Sequence, residues 1–241
     1  VDFTVDFFRD RRDDIFQQRT MVPGYVGLVE QPYGNVGSMV SFGADGNISY
    51  TQDFGRDFTL TLRGNFTYTA NMVKTWEEAF QKYAYQERAG KPYNYYVGYI
   101  ALGLFRDEDD VKYSPDQSSI AGRKVLPGDI KYKDQDGNHV LDTKDLIYVK
   151  NSSNPDFNFS LRLGASYKGF FVNVMFQGAT GYQQNIKELY TTNSGSLQRF
   201  QKYHLTDTWT PDNPGASLPR IKFATANDNN RKESTFWVRD C

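Results

Sequence analysis

The stretch between Pro155 and Gly181 constrains the fold most strongly, because two runs of alternating residues flank a short turn. In the first run, every second residue from Phe157 to Tyr167 is apolar or aromatic, and most residues between them are polar. Side chains of a strand alternate between its two faces, so this run predicts a strand with one apolar and one polar face. A similar run follows the turn at Tyr167-Lys168-Gly169. The stretch predicts a β-hairpin whose arms are each about long enough to cross a bilayer at a tilt.

The same alternation recurs in the first third of the chain. It predicts a strand from Val1 to Phe7, a second strand that is clearest from Ala44 to Thr51, and a third from Phe58 to Thr69. Residues 17–36 are rich in glycine and proline and are predicted to form a long loop, whereas residues 53–57 are predicted to form a tight turn.

The remaining segments carry weaker signals. Residues 71–156 lose the alternation, although aromatic residues at helical spacing predict a short helix from Trp76 to Arg88. One or two strands are predicted between Tyr93 and Phe105, and a last strand is predicted to begin near Ser234.

The predicted connections alternate in length along the chain. Segments 17–36, 71–156 and 178–233 are long, whereas the turns at 53–57 and 167–170 are short. Outer-membrane barrels combine short periplasmic turns with long extracellular loops. The alternation therefore favours an antiparallel transmembrane β-barrel, and a soluble β-sandwich is the alternative.

The composition fits both of these all-β classes. Aromatic residues make up 16% of the chain, while the mean hydropathy is −0.66. A polar average with many aromatic residues is typical of membrane barrels, because half of each strand faces a wet lumen. Soluble sandwiches and sugar-binding modules share this composition.

Charge and rare residues exclude several other functions. The net charge of −1 argues against nucleic acid as a partner. A single cysteine, Cys241, cannot form a disulfide framework or a cysteine-based zinc site within the chain. The two histidines, His139 and His204, lack a serine or cysteine nucleophile motif, so we expect no enzyme. The sequence shows no signal peptide and no apolar run of transmembrane-helix length.

One segment, from Asp134 to Asp145, has the spacing of a calcium-binding loop. Oxygen ligands at alternate positions of a tight loop converge on one point, and Ca²⁺ needs six to eight of them. His139 replaces the glycine that makes the sharp turn, and Asp145 replaces the usual glutamate, so an acidic loop that only turns and stays hydrated is the alternative. Leu141 is expected to point back and pack. The predicted ligands are Asp134, Asp136, Asn138, the Val140 carbonyl, Asp142 and Asp145.

Several short motifs occur along nearly the whole chain. They are Asn35-Val36-Gly37 with Gly43-Ala44-Asp45 and Ile48-Ser49-Tyr50, Gly64 to Tyr68, Gly98-Tyr99 with Gly103-Leu104-Phe105, Pro127 to Asp134, Tyr167 to Phe170 with Phe176-Gln177-Gly178, Trp209-Thr210-Pro211 with Asn213-Pro214 and Pro219-Arg220, and Ser234 to Asp240. Together, and in this order, these motifs resemble SusC/RagA-type TonB-dependent outer-membrane transporters. Asp45 stands where that family usually has glutamate, and Leu102 where it usually has aspartate.

The resemblance implies a function in transport. Such proteins import glycan fragments or peptides across the outer membrane, driven by TonB, beneath a SusD-like surface lipoprotein. We therefore expect an outer-membrane location, an oligosaccharide or peptide cargo, and contact with outer-membrane lipid. On this interpretation Arg63, Asn65, Asn158 and Arg162 face the lumen or plug, and Phe58, Leu60, Phe159 and Leu161 face lipid. A soluble, secreted carbohydrate-binding module with a calcium-braced loop is the competing hypothesis.

The resemblance also implies a domain assignment. Residues 1–241 are expected to form an incomplete C-terminal part of a barrel of about 22 strands, without the plug domain and the final strands. The strands at the two ends of such a piece would have open edges, which a bilayer does not tolerate.

Overall fold

The computed structural model describes residues 1–93, 95–150, 154–187, 202–221 and 228–241. The chain divides into two compact units. The first comprises Val1–Asn94, Ser152–Gln183 and Asp240–Cys241, and the second comprises Tyr95–Asn151 and Gln184–Arg239. No helix in the described ranges is long and apolar enough to cross a membrane.

Strands dominate the described residues, and helices are short. The strands are β1 (Asp2–Gln18), β2 (Tyr33–Phe54), β3 (Phe58–Thr75), β4 (Tyr95–Gly98), β5 (Ala101–Leu104), β6 (Ile130–Tyr132), β7 (Ile147–Lys150), β8 (Phe157–Tyr167), β9 (Phe170–Thr180), β10 (Gln183–Asn185) and β11 (Val238–Asp240). The helices are α1 (Glu108–Lys112), α2 (Ser118–Ala121) and α3 (Lys202–Thr206), with 3-10 turns at Gly24–Val26, Ala84–Gln86, Thr143–Asp145, Asn229–Arg231 and Thr235–Trp237.

The first unit contains a five-stranded sheet in the order β1-β2-β3-β8-β9, and all neighbours are antiparallel. The predicted all-β, antiparallel fold class is confirmed, and within this chain the sheet is open. The predicted hairpin is β8 and β9, joined at Lys168-Gly169. β1 and β2 are longer than predicted, so the loop between them shrinks to residues 19–32.

The two short turns lie at the same end of this sheet. Phe54 pairs with Phe58 across the first turn, Tyr167 pairs with Phe170 across the second, and Phe58 itself pairs with Tyr167. The long connections leave from the opposite end. The sheet therefore has the arrangement of connections that the sequence predicted.

The strand register places most apolar side chains on one face of the sheet and most polar side chains on the other, with exceptions such as Phe171 and Met175 on the polar face. Leu62 lies opposite Leu163, whereas Arg63 lies opposite Arg162 on the other face. Directly paired residues share a face, so the pairing assigns each row of residues across the sheet to one of its two faces. The apolar face includes Phe3, Val5, Phe7, Ile48, Leu60, Leu62, Phe66, Phe159, Leu161, Leu163, Val172, Val174 and Phe176. The polar face includes Thr4, Asp6, Asp45, Asn47, Arg63, Asn65, Asn158, Ser160, Arg162 and Gln177.

Two aromatic rows bound the apolar face. The row at the short-turn end contains Phe54, Phe58, Tyr167 and Phe170, and the row at the other end contains Phe7, Tyr68 and Phe157. On β3 the rows are ten residues apart, from Phe58 to Tyr68. At about 3.3 Å per residue and a tilt of about 40°, this separation gives an apolar band about 25 Å tall, which matches the band of outer-membrane barrels.

The predicted helix from Trp76 to Arg88 is wrong, because tertiary contacts hold this segment in an irregular path. The Arg88 guanidinium lies 4.0 Å from the centre of the Trp76 ring and 5.1 Å from that of Tyr93. Glu77 accepts hydrogen bonds from the Arg19 side chain and from the backbone of the β1–β2 loop. Only a 3-10 turn at Ala84–Gln86 forms here.

The second unit has its own apolar core. β4 pairs with β7 and β5 with β6. The predicted strands between Tyr93 and Phe105 are thus confirmed as β4 and β5. The core consists of Tyr99, Ile120, Ile130, Tyr132, Leu141 and Trp237.

Several motifs of the family resemblance meet in this second unit. The buried Asp129 carboxylate accepts hydrogen bonds from Arg220 at 2.9 Å and from Asn230 at 3.1 Å. Gly128 has φ +82°, and a Cβ atom there would lie 2.4 Å from the Trp209 ring. The Gly98-Tyr99 motif contacts the segment that includes Ser234 through a parallel bridge. These motifs therefore build the core of the unit.

We expect Gly128→Ala to destabilise the second unit more than Gly137→Ala does. The two glycines have similar φ values, +82° and +76°, but a Cβ atom at Gly137 would meet nothing within 4 Å. The two variants therefore carry similar backbone strain, so the collision with Trp209 should account for an excess loss of about 1–3 kcal/mol in the free energy of unfolding. Pulse proteolysis in urea, followed at cleavage sites in 95–150, measures the difference. Equal losses would contradict the packing of Gly128 against Trp209.

Candidate functional site

Three of the predicted calcium ligands come together in the second unit. Asp134, Asp136 and Asp145 each place a carboxylate oxygen within 4.8 Å of the others. Asp134 and Asp136 are half-buried, whereas Asp145 is fully buried. These are the positions that supply the first, third and last side-chain ligands of a twelve-residue calcium loop.

The backbone of the loop turns sharply around Asp134. One carboxylate oxygen accepts a hydrogen bond from the Gly137 N–H at 2.7 Å, and the other accepts one from the His139 N–H at 2.7 Å. His139 has φ 62° and Gly137 has φ 76°, so both residues are left-handed. His139 thus adopts the conformation that glycine usually supplies at this position, as the sequence required.

Asp145 ties the end of the loop to its beginning. Its carboxylate oxygens accept hydrogen bonds from the Gln135 N–H at 2.7 Å and from the Asp142 N–H at 2.8 Å. The Asp142 side chain accepts from the Lys144 backbone N–H, and together Asp142 and Asp145 cap the 3-10 turn Thr143–Asp145. A buried carboxylate with two N–H donors is held in a fixed orientation even without a cation.

The loop is also anchored to the core of the second unit. Leu141 is fully buried against the core cluster, as predicted. Its N–H donates to the Asp116 carbonyl at 2.8 Å, and the Asp116 N–H donates to the His139 carbonyl at 3.0 Å. Movement of the loop would therefore disturb the core around Leu141.

The other three predicted ligands have different surroundings. The Asn138 side-chain oxygen accepts a hydrogen bond from the Val140 N–H at 2.7 Å. Val140 bridges to Asp116. The Asp142 carboxylate binds the Lys144 ammonium at 3.0 Å and is not among the three clustered carboxylates. The geometry thus groups the aspartates at positions one, three and twelve, and leaves Asp142 paired with a lysine.

Electrostatics keep the loop negatively charged. Desolvation raises the pKa of Asp134, but hydrogen bonds from the His139, Gly137 and Asn138 N–H groups outweigh it and leave the pKa below its usual value. The Lys144 N–H and ammonium likewise lower the pKa of Asp142. Because the pKa of each group is depressed, Asp134 and Asp142 remain mostly ionised at pH 3.8, the ordinary pKa of an aspartate, and take up protons only at lower pH. The hard oxygens of the clustered carboxylates suit Ca²⁺ chemically.

The polar face of the five-stranded sheet is the second candidate surface. It carries two like-charged pairs across neighbouring strands, Asp6 opposite Asp45 and Arg63 opposite Arg162. None of these four side chains forms a salt bridge within the described part of the chain, although Arg162 donates to the Asn173 side chain at 3.1 Å. Like charges directly opposite each other destabilise a sheet, so this face is suited to contact with polar or charged groups rather than with lipid.

A buried polar network around Gln117 was not predicted from the sequence. The Gln117 side chain accepts a hydrogen bond from the Tyr132 N–H at 2.7 Å and donates to the Ile130 carbonyl and to Asn229. Nothing in the local sequence marks this network, because Gln117 and Asn229 are 112 positions apart. His204 is buried beside Tyr203. No catalytic constellation was predicted around either histidine.

Comparisons with known proteins agree with this architecture. No protein-family model matches the chain. It is 23% identical to TonB-dependent receptor P3 of Formosa agariphila over 232 residues, which covers 91% of this chain and 22% of that receptor. It is 21% identical to TonB-dependent receptor P39 of the same organism, covering 98% of this chain and 26% of the receptor. The chain thus spans about a quarter of the curated relatives it matches.

Solved structures show the same fold. The RagAB peptide transporter matches 95% of this chain and 25% of its own, with a TM-score of 0.61 and 22% identity. The RagAB peptide importer in its open-open state matches 99% of this chain and 24% of its own, with a TM-score of 0.66 and 18% identity. The resemblance to SusC/RagA-type transporters that the motifs indicated is therefore confirmed: the chain is similar, over nearly its whole length, to parts of two TonB-dependent receptors, and it has the fold of part of the RagAB transporter.

Proposed function

We propose that this chain forms part of the wall of a TonB-dependent transporter that imports nutrients across the outer membrane. The observation that carries the proposal is the two-faced sheet. Its apolar face bears large exposed side chains, such as Phe7 at 82% and Phe176 at 56% exposure. An apolar surface that spans five strands between two aromatic rows is suited to lipid, and the opposite polar face is suited to a wet lumen.

The cargo we propose is a peptide, with oligosaccharides as the alternative. Peptide transport is what the RagAB structures are described as performing. The polar face carries carboxylates at Asp6 and Asp45 and guanidinium groups at Arg63 and Arg162, so it offers both signs of charge to a zwitterionic chain. We also propose that a SusD-like lipoprotein and TonB are partners of the full-length protein, as the RagAB complex and the receptor relatives suggest.

The competing function is a soluble, secreted binding module with a calcium-braced loop. The exposed apolar face argues against a soluble module, because monomeric soluble proteins rarely expose an apolar patch that extends over five strands. The similarity to receptors and transporters along nearly the whole chain favours transport as well.

Fractionation of native cells tests the proposed function. An antibody raised against this segment should detect a polypeptide several times larger than the 27.7 kDa of this chain, in the outer-membrane fraction. A SusD-like lipoprotein should co-purify with it in detergent, and deletion of the gene should slow growth on peptides as the nitrogen source. A soluble band near 27.7 kDa would instead support the binding module.

We expect Leu161→Arg to block assembly of the full-length protein, while Ser160→Arg is tolerated. Leu161 lies on the apolar face near the middle of β8, four residues from the aromatic row at Phe157 and six from the row at Tyr167, and Ser160 is adjacent on the polar face. An arginine on the lipid face should cost about 2–4 kcal/mol near the middle of the bilayer and much less on the lumen face. The amount of folded protein in the outer membrane measures the effect. Equal yields for the two variants would overturn the assignment of faces.

We further propose that the loop from Asp134 to Asp145 binds Ca²⁺ in an extracellular connection of the barrel. The support is the convergence of Asp134, Asp136 and Asp145 and the left-handed backbone at His139. A bound Ca²⁺ would offset two of the three negative charges and brace a segment that meets the lipoprotein. Extracellular calcium sites of this kind bind with a dissociation constant of about 10⁻⁴–10⁻³ M, and Asp in place of the bidentate glutamate agrees with weak binding.

Calcium at millimolar concentration should slow proteolysis between Asp134 and Asp145 in the full-length protein, and a chelator should restore it. Asp136→Asn should abolish this protection, because it removes one of the clustered charges. Asp116→Asn is the matched control, since Asp116 touches the loop only through its backbone and lies outside the carboxylate cluster. Protease sensitivity that is the same with calcium and with chelator would contradict the calcium site.

A further inference from the structure

A cluster of three cations lies beyond the aromatic row at the long-loop end of the apolar face. Arg9 and Arg11 continue the outward-facing positions of β1 after Phe7. Lys74 lies near the end of β3, and its ammonium is 3.6 Å from the Met72 sulfur, which places it beside the same face. We call Arg9, Arg11 and Lys74 the basic cluster.

The floor of the basic cluster is apolar. Arg9 pairs with Phe42 and Arg11 pairs with Val40, and on the other side of β2 Val40 pairs with Met72. Neighbouring strands are about 4.8 Å apart and each residue rises about 3.3 Å, so the backbone of Lys74 stands about 12 Å from that of Arg11 and about 16 Å from that of Arg9, on the other side of β2. Flexible side chains of this length can reach one headgroup between them.

The cations have few partners of their own. Within the described ranges, Arg9 forms no salt bridge, and the Lys74 ammonium contacts the Met72 thioether. Arg11 pairs with Asp13 at 2.9 Å, but its side chain is 74% exposed and that of Asp13 is 48% exposed. An exposed ion pair of this kind contributes little and exchanges readily for another anion.

We propose that the basic cluster binds the phosphate groups of a glycolipid in the outer leaflet of the outer membrane. This inference rests on the proposed function, because only a barrel wall sets this face against lipid. The long connections mark the extracellular end, and the cluster stands just beyond the aromatic row at that end, where headgroups begin. Its apolar floor continues into the lipid-facing surface, which favours an anion attached to acyl chains over a free phosphate ion.

Native mass spectrometry of the full-length protein in detergent tests the proposal, with bis-phosphorylated lipid A as the probe. Arg9→Gln combined with Lys74→Gln should weaken binding of this lipid by about fivefold for each charge removed. Binding of the same lipid after enzymatic dephosphorylation should be weak for the wild type and unchanged by the substitutions.

Arg56→Gln combined with Lys168→Gln is the matched control. It removes the same charge at the short-turn end of the sheet, where Arg56 is exposed and the Lys168 side chain is 59% exposed. This control should bind phosphorylated lipid A like the wild type. An equal loss in both double variants, or an equal loss for phosphorylated and dephosphorylated lipid, would overturn the proposal.

The folded state is checked separately by the heat-dependent mobility of the barrel on gels. If the double variant does not assemble, Arg9→Gln and Lys74→Gln are measured singly, and each should show the fivefold effect. A full-length protein that is absent from the outer membrane would refute the proposed function. A protein that is present there with unchanged lipid binding would refute the basic cluster alone.

Discussion

Antiparallel pairing without a register shift between β3, β8 and β9 is the constraint on which the first unit depends. A slip of one residue would move Arg63 and Arg162 to the apolar face and Leu62 and Leu163 to the polar face, because strand side chains alternate with period two. The turn at Lys168–Gly169 holds the register of β8 and β9, and the Lys168 N–H donates to the Asp57 carbonyl at 3.2 Å, which ties this turn to the one that precedes β3. The same pairing builds the aromatic rows and the polar face on these three strands.

The sequence predicted the parts of the fold that depend on local alternation. The hairpin of β8 and β9 and the third strand follow from period two alone, and their faces are as expected. The second unit was not predicted, because its core joins segments that are far apart, such as Gln117 with Asn229 and Gly128 with Trp209. The helix expected from Trp76 does not form, because Arg88 stacks on Trp76 and Glu77 accepts hydrogen bonds from the β1–β2 loop.

The positions of the clustered ligands in the candidate calcium loop were predictable from the sequence, whereas the partner of Asp142 was not. Ligand spacing identified Asp134, Asp136 and Asp145, and the packing of Leu141 followed from its place in the pattern. The partner of Asp142 did not follow, because Lys144 competes for its carboxylate. Anchoring of the loop to Asp116 and the core links any bound ion to the stability of the second unit. That unit is built from the long connections of the chain, in Tyr95–Asn151 and Gln184–Arg239.

The most direct test of the proposed lipid-facing wall is a measurement of the environment of successive side chains along β8. Spin labels placed one at a time from Asn158 to Ala165 in the full-length protein in lipid report collisions with oxygen, which concentrates in the bilayer. If one face of the sheet contacts lipid, the collision rate with oxygen should alternate with period two. Its maxima should fall at Phe159, Leu161, Leu163 and Ala165, and its minima at the residues between them. A flat profile, or maxima at Ser160 and Arg162, would contradict the assignment of this sheet as a lipid-facing wall.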